Sequence, residues 1–271
     1  MLGKLFKTEF KASGRLYLPI FIGLLFCAVV ERIMIEILQK NENSTFLNIV
    51  FGVITAIFVI IICSVCVSGQ FISIYRFHKS VFTDEGYLTN TLPVKSSSII
   101  LSKLLVGVLY TVFSFIILIA SALIMTAGDV LTNFIEELRI DLGIENTQIG
   151  LFEYIFKALS DIPLTTVLVA VFIVVSLFFN IIMFYTAFAI GNMANNKKVL
   201  LSVIIFIGLT NVLSFASGGL TILLEEILSD KMAAITSVNI TLSIVLAGTV
   251  LIGLIGYFVT NKIMKSRLNL E

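Results

Sequence analysis

Six stretches of this chain stay apolar for far longer than a soluble fold requires. They run approximately over Leu16–Ile37, Phe46–Ile74, Leu101–Met125, Leu164–Met193, Val199–Ser217 and Val238–Ile263. Crossing about 30 Å of hydrocarbon at 1.5 Å per residue takes roughly 20 apolar residues. In lipid every backbone amide must be bonded within its own segment, and runs of this length meet that demand as helices. The pattern predicts an all-α, polytopic membrane protein with six transmembrane helices in a single domain over 1–271. The second and fourth runs exceed the necessary length and should tilt or project beyond the lipid.

Shorter patterns fill the gaps. Ahead of the first span, Leu2, Leu5, Phe6 and Phe10 recur at helical spacing with Lys4, Lys7 and Lys11 between them. This predicts an amphipathic interface helix over 1–14, broken at Ser13-Gly14. The stretch 126–163 is too long for a simple connection. Leu131, Phe134, Ile135 and Leu138 form one helical stripe in it, and Leu151, Phe152, Ile155, Phe156 and Leu159 another. Within 218–236, Leu220–Leu228 is apolar but too short to cross, and a re-entrant segment turned back by Glu225-Glu226 is expected.

Composition agrees with the pattern: the chain is 58% hydrophobic and only 13% charged, with a mean hydropathy of +1.09. Soluble domains keep roughly a quarter of their residues charged. An N-terminus on the inner side places 13 of the 18 Lys and Arg there, leaving only Glu9, Asp84, Glu85 and Glu271 among the 17 acidic residues. Basic residues favour the cytoplasmic side, so both termini are expected inside. The first apolar run is followed by Glu31-Arg32 rather than a small-residue cleavage site, which predicts a retained span and not a signal peptide. Glu31 and Arg32, near its outer end, are expected to snorkel to the interface. Cys27, Cys63 and Cys66 all lie in apolar runs. The Cys63-x-x-Cys66 pair reads as packing rather than redox chemistry.

Chemistry of the catalytic kind has little to stand on. No phosphate-cradling G-x-x-x-x-G-K-[ST] is present, no Ser/His/Asp arrangement, and no acidic pair placed for proton transfer. The lone His78 is expected to be solvated. The chain reads as a non-enzyme with no cofactor or metal of its own and no nucleic-acid partner.

One polar segment stands out between the second and third spans: Phe82-Thr-Asp-Glu-Gly-Tyr-Leu-Thr-Asn-Thr-Leu-Pro-Val94. Tyr75–Phe82 should continue the second helix past the lipid, opening a cytoplasmic loop over 75–100. Thr83 can cap a short helix with Asp84 and Glu85 in its first turn, where the helix dipole favours anions. Tyr87 and Leu88 then present an apolar face, Leu92-Pro93 forces an extended exit, and Ser96–Ser98 can cap the next helix. Such a loop looks built for docking.

With Leu101-Ser-Lys-Leu-Leu105, this segment resembles the inner loop of ATP-binding-cassette permeases of the ABC-2 exporter class, in the form common in Firmicutes. The resemblance extends over the whole six-span layout. It implies a bacterial plasma-membrane subunit and a coupling helix docked on a separate cassette ATPase through Asp84, Glu85, Tyr87, Leu88, Leu92 and Pro93. ATP and Mg would then reside on that partner, and a second permease subunit, identical or a sister, would complete the exporter. Asn90 stands where many relatives carry a bulky apolar residue. The cargo class that suits apolar, amide-bearing spans is amphipathic: a peptide, lipid or antibiotic.

Within the spans, Gln70, Asn180, Asn192, Thr210 and Asn211 are costly against lipid and are candidates for lining a pathway, or for hydrogen bonds between helices. Ala187-x-x-x-Gly191 and Thr249-x-x-x-Gly253, with Gly256, offer small faces for close helix packing or for a dimer seam. Two other readings stand beside the exporter. A secondary carrier or channel would want titratable groups within the membrane, which the spans nearly lack. A non-transporting immunity protein would sense a peptide through 126–163.

Overall fold

The computed structural model describes residues 2–41, 44–82, 95–127, 136–137, 140, 159–194, 197–229 and 233–266. Among them are six long helices: α1 (Leu2–Lys40), α2 (Thr45–Phe82), α3 (Ser96–Thr126), α4 (Pro163–Gly191), α5 (Lys198–Ser229) and α6 (Ala234–Ser266). The described residues contain no strand. Each helix carries a stretch long and apolar enough to cross a membrane. The all-α, six-span expectation therefore holds.

Helical periodicity sorts each span into two faces. On α1, Tyr17, Leu24, Ala28 and Glu31 are buried, whereas Leu18, Ile22, Phe26, Val29 and Ile33 form a continuous exposed stripe. The same holds on α5, where Phe215 is 80% exposed and Ile222 67%. Apolar surface of this extent is not kept against water; it is the surface of a chain dissolved in lipid. Hydroxyls in the spans mostly bond back to their own helix, as Ser64 does to the Ile60 carbonyl (2.8 Å) and Ser114 to that of Tyr110 (2.8 Å). They thus cost little in an apolar medium.

Two expected breaks are absent. No interruption occurs at Ser13-Gly14, because α1 runs unbroken from Leu2 to Lys40. A Cβ on Gly14 would lie 2.7 Å from the Tyr110 hydroxyl, and that hydroxyl donates to the Phe10 carbonyl at 2.9 Å. The glycine admits a tyrosine instead of ending a helix. Nor does Leu220–Leu228 re-enter as a separate piece: α5 is one helix through Ser229, about 48 Å long at 1.5 Å per residue. Gly218-Gly219 weakens a helix by only about 1 kcal/mol per residue, and no proline follows to stop it. The stripes expected over 131–138 and 151–159 lie largely outside the described residues.

The chain packs as two compact bodies, Met1–Glu9, Ser73–Val108 and Leu159–Glu271 in the first, Phe10–Ile72 and Leu109–Ala158 in the second. In the first, α4 packs against both α5 and α6, and a core of Phe77, Val81, Ile100, Leu104, Tyr185 and Met264 gathers α2, α3, α4 and α6. In the second, Leu24 and Ala28 of α1 meet Phe58 and Val65 of α2. There Tyr17 stacks on Tyr110 at 4.4 Å and donates its hydroxyl to the Gly69 carbonyl at 2.8 Å.

The small-residue faces are spent on packing within the first body. Gly191 abuts the backbone of Ser202, Gly256 abuts Thr186 and Ile182, and Gly253 faces Phe179. They join α4 to α5 and α6, which favours the fold-building reading over the seam.

Candidate functional site

Asp84, Glu85, Tyr87, Leu88, Leu92 and Pro93 lie outside the described residues, so the candidate site is defined by the helices that lead into and out of them. The apolar run of α2 extends to about Ile74, yet the helix continues to Phe82. Phe77, Ser80 and Val81 on this extension are buried, so one face of it is held by protein. Phe77 stacks on Tyr185 of α4 with ring centroids 3.9 Å apart, and Ser73 shares a 3.1 Å hydrogen bond with the Tyr185 hydroxyl. Tyr185→Phe removes that one bond while keeping the stack. A net loss of about 0.5–1.5 kcal/mol is expected, measured as a lowered thermal midpoint in detergent.

His78, expected to be solvated, instead sits half-buried and edge-on to Phe188 at 5.7 Å. Burial pushes its imidazole below the ordinary value, favouring the neutral ring. α3 starts at Ser96, with the Ser98 N–H donating to the Lys95 carbonyl at 2.8 Å.

The feature that sequence reasoning missed joins three helices. Glu9 of α1 accepts from Arg76 of α2 at 2.9 Å through one carboxylate oxygen and from Lys103 of α3 through the other. The Lys103 side chain is only 3% exposed and that of Glu9 16%. A buried cation of this kind is tolerated because it is paired and hydrogen-bonded. The available signal was Glu9 itself, the one acidic residue among Lys4, Lys7, Lys11 and Arg15. Leu5, one turn earlier, packs on the core around Phe77. Part of the predicted interface stripe is thus occupied with protein.

The five polar span residues part company. Asn180 and Thr210 line one cavity of about 290 Å³ between α4, α5 and α6, together with Ser214, Ser217 and Thr249. Both turn a donor back onto their own helix, Asn180 to the Ser176 carbonyl at 2.9 Å and Thr210 to that of Phe206 at 2.8 Å. Asn192 is buried at the end of α4, where its amide donates to the Phe188 carbonyl at 2.8 Å. It caps a helix. Asn211 lies exposed beside the cavity and bonds back to the Ile207 carbonyl, and the side chain of Gln70 is outside the described set. A second, almost wholly apolar groove of about 620 Å³ runs between α3, α4 and α6 past Leu104, Phe178 and Tyr257.

Glu31 overturns an expectation. It does not snorkel: the residue is 2% exposed, and its Oε1 accepts a 2.6 Å bond from Thr55 of α2. Its Oε2 is buried, with no hydrogen-bond partner among the described residues. Arg32 turns instead to Glu36 one turn on, at 3.1 Å. Position 31 falls on the buried stripe of α1 with Leu24 and Ala28, which is why it faces inward. Cys63 and Cys66 are free thiols on the exposed face of α2 and are not packed inside. Among the described residues no group of side chains could hold a metal ion.

Six apolar helices with lipid-compatible surfaces define a multi-pass membrane protein. Beyond that class, no protein-family model, curated protein or solved structure matches the chain.

Proposed function

We propose that this chain is the membrane-spanning permease subunit of an ATP-binding-cassette exporter of the ABC-2 class, sited in a bacterial plasma membrane with both termini in the cytosol. The observation that carries the reading is the pairing of the Phe82–Val94 segment with the extension of α2. A helix that continues past its apolar run over 75–82, packed on Tyr185 and tied to Glu9, would act as a stiff lever ending where the proposed docking segment begins. Force applied at residues 84–93 by a separate ATPase would pass along α2 into α4. Two such subunits, identical or sisters, would enclose the path. The Asn180–Thr210 cavity, with amide and hydroxyl groups on an apolar wall, suits an uncharged or amphipathic cargo. ATP and Mg would sit on the partner, leaving this chain without catalytic duty.

Copurification tests this directly. A tagged chain is expected to bring down a cassette ATPase whose turnover rises in its presence; a chain that comes down without one speaks against the exporter.

One observation favours a second reading, the secondary carrier. Glu31, buried against Thr55, is the intramembrane carboxylate whose expected absence weighed against ion coupling. Cargo uptake by vesicles that hold the chain alone, driven by an ion gradient, would select the carrier.

A further inference from the structure

We infer that Glu9 is a positioning residue: its single carboxylate, shared between Arg76 and Lys103, sets the spacing of the two helix ends from which residues 83–94 are hung. Arg76 lies six residues before Phe82 on α2, and Lys103 seven residues after Ser96 on α3. Each donates to a different oxygen of Glu9, so one anion holds two cations that would otherwise repel. Burial strengthens both the attraction and the repulsion, because little water is present to screen either. The clamp also explains why Met1–Glu9 packs in one body with Ser73–Val108 although the rest of α1 does not. Leu5 enters the core of that body, and Glu9 closes the contact.

The consequence for function rests on the exporter reading. A docked motor displacing residues 84–93 would move α2 and α3 together, and would carry α1 as far as Glu9 with them. Without Glu9 the two ends separate, and the push is absorbed in their splaying. The spacing itself, though, is a property of the chain alone.

Spin labels at exposed Tyr75 and Leu101, in a chain whose Cys27, Cys63 and Cys66 are replaced by serine, read the separation of α2 and α3. The parent is expected to give one narrow distance. Glu9→Gln is expected to add a longer population, and Glu9→Lys a larger one. The exchange Glu9→Lys with Lys103→Glu keeps one anion and two cations in the cluster, and is expected to recover the narrow distance. An unchanged distance in Glu9→Gln overturns the inference. Should Glu9→Gln fail to insert, insertion recovered by the exchange supports the clamp, and failure of the exchange overturns it. With the copurified ATPase present, Glu9→Gln is expected to lower stimulated turnover about tenfold or more, at unchanged ATP affinity. Splayed helices with normal turnover would reject the force path and leave the clamp standing.

Discussion

Gly191→Ala is expected to disrupt the α4–α5 hairpin, and to cost far more than Gly253→Ala, whose added methyl meets only the Phe179 ring at 3.5 Å. A Cβ at position 191 would lie 2.7 Å from both the backbone nitrogen and the Cα of Ser202, and would overlap the Ser202 hydroxyl. Ser202 is fully buried, and a helix backbone cannot swing aside as a side-chain tip can. Overpacking of this kind costs about 1–3 kcal/mol where neighbours adjust, and here the backbones of α4 and α5 must part. The turn below adds to the demand. Asn192 caps α4 with both its backbone and side-chain N–H groups on the Phe188 carbonyl, and Lys197 enters α5 at φ 52°. A positive φ at a non-glycine residue is uncommon and stores strain. Thermal midpoints in detergent measure the effect. Adding Ser202→Gly should recover little of the loss, because the backbone clash remains; full recovery would place the conflict in the hydroxyl alone.

On the proposed exporter function, Leu88→Asp is expected to abolish cargo-stimulated ATP turnover by a partner ATPase while leaving membrane insertion intact. By sequence alone, Asp84 and Glu85 suit the first turn of a short helix capped by Thr83, and such a helix would turn Tyr87 and Leu88 to one apolar face. A carboxylate set into a desolvated contact has no partner there, and such unpaired charges weaken association by several kcal/mol, a loss of more than about a hundredfold. Tyr87→Ala should act in the same direction by removing the largest apolar area on that face. Leu88→Met, which keeps volume and polarity, serves as the control. Unchanged coupling in both Tyr87→Ala and Leu88→Asp would remove the docking role from this segment.

These two predictions draw on different kinds of information. Position 88 is argued from the sequence alone, because a polar, acid-bearing, proline-ended segment between two long apolar runs suggests docking without reference to any neighbour in space. Position 191 is not. Ala187-x-x-x-Gly191 announces a close approach, but the spacing could not say whether the neighbour was α5 of the same chain or a second copy. Glu31 misled for a related reason. A charged pair near the outer end of a span usually reaches for the interface, and only the neighbours of Leu24 and Ala28 put position 31 on the inward face. The same limit applied at Gly14, read as a break when its missing Cβ makes room for Tyr110.

What the chain's order of residues determined alone is its solvent and its class. Six apolar runs near twenty residues or longer leave lipid as the one medium in which the backbone can be satisfied, and the helix as the one form that satisfies it. Their number and approximate limits follow without any contact between them. What tertiary structure decided is which polar groups meet. Glu9 lies 67 residues from Arg76 and 94 from Lys103; Thr165 finds Asn239 across 74. Hydropathy is summed along a segment and survives averaging. A charge pair depends on the angular position of two side chains on two separate helices, and that is set only when the helices pack.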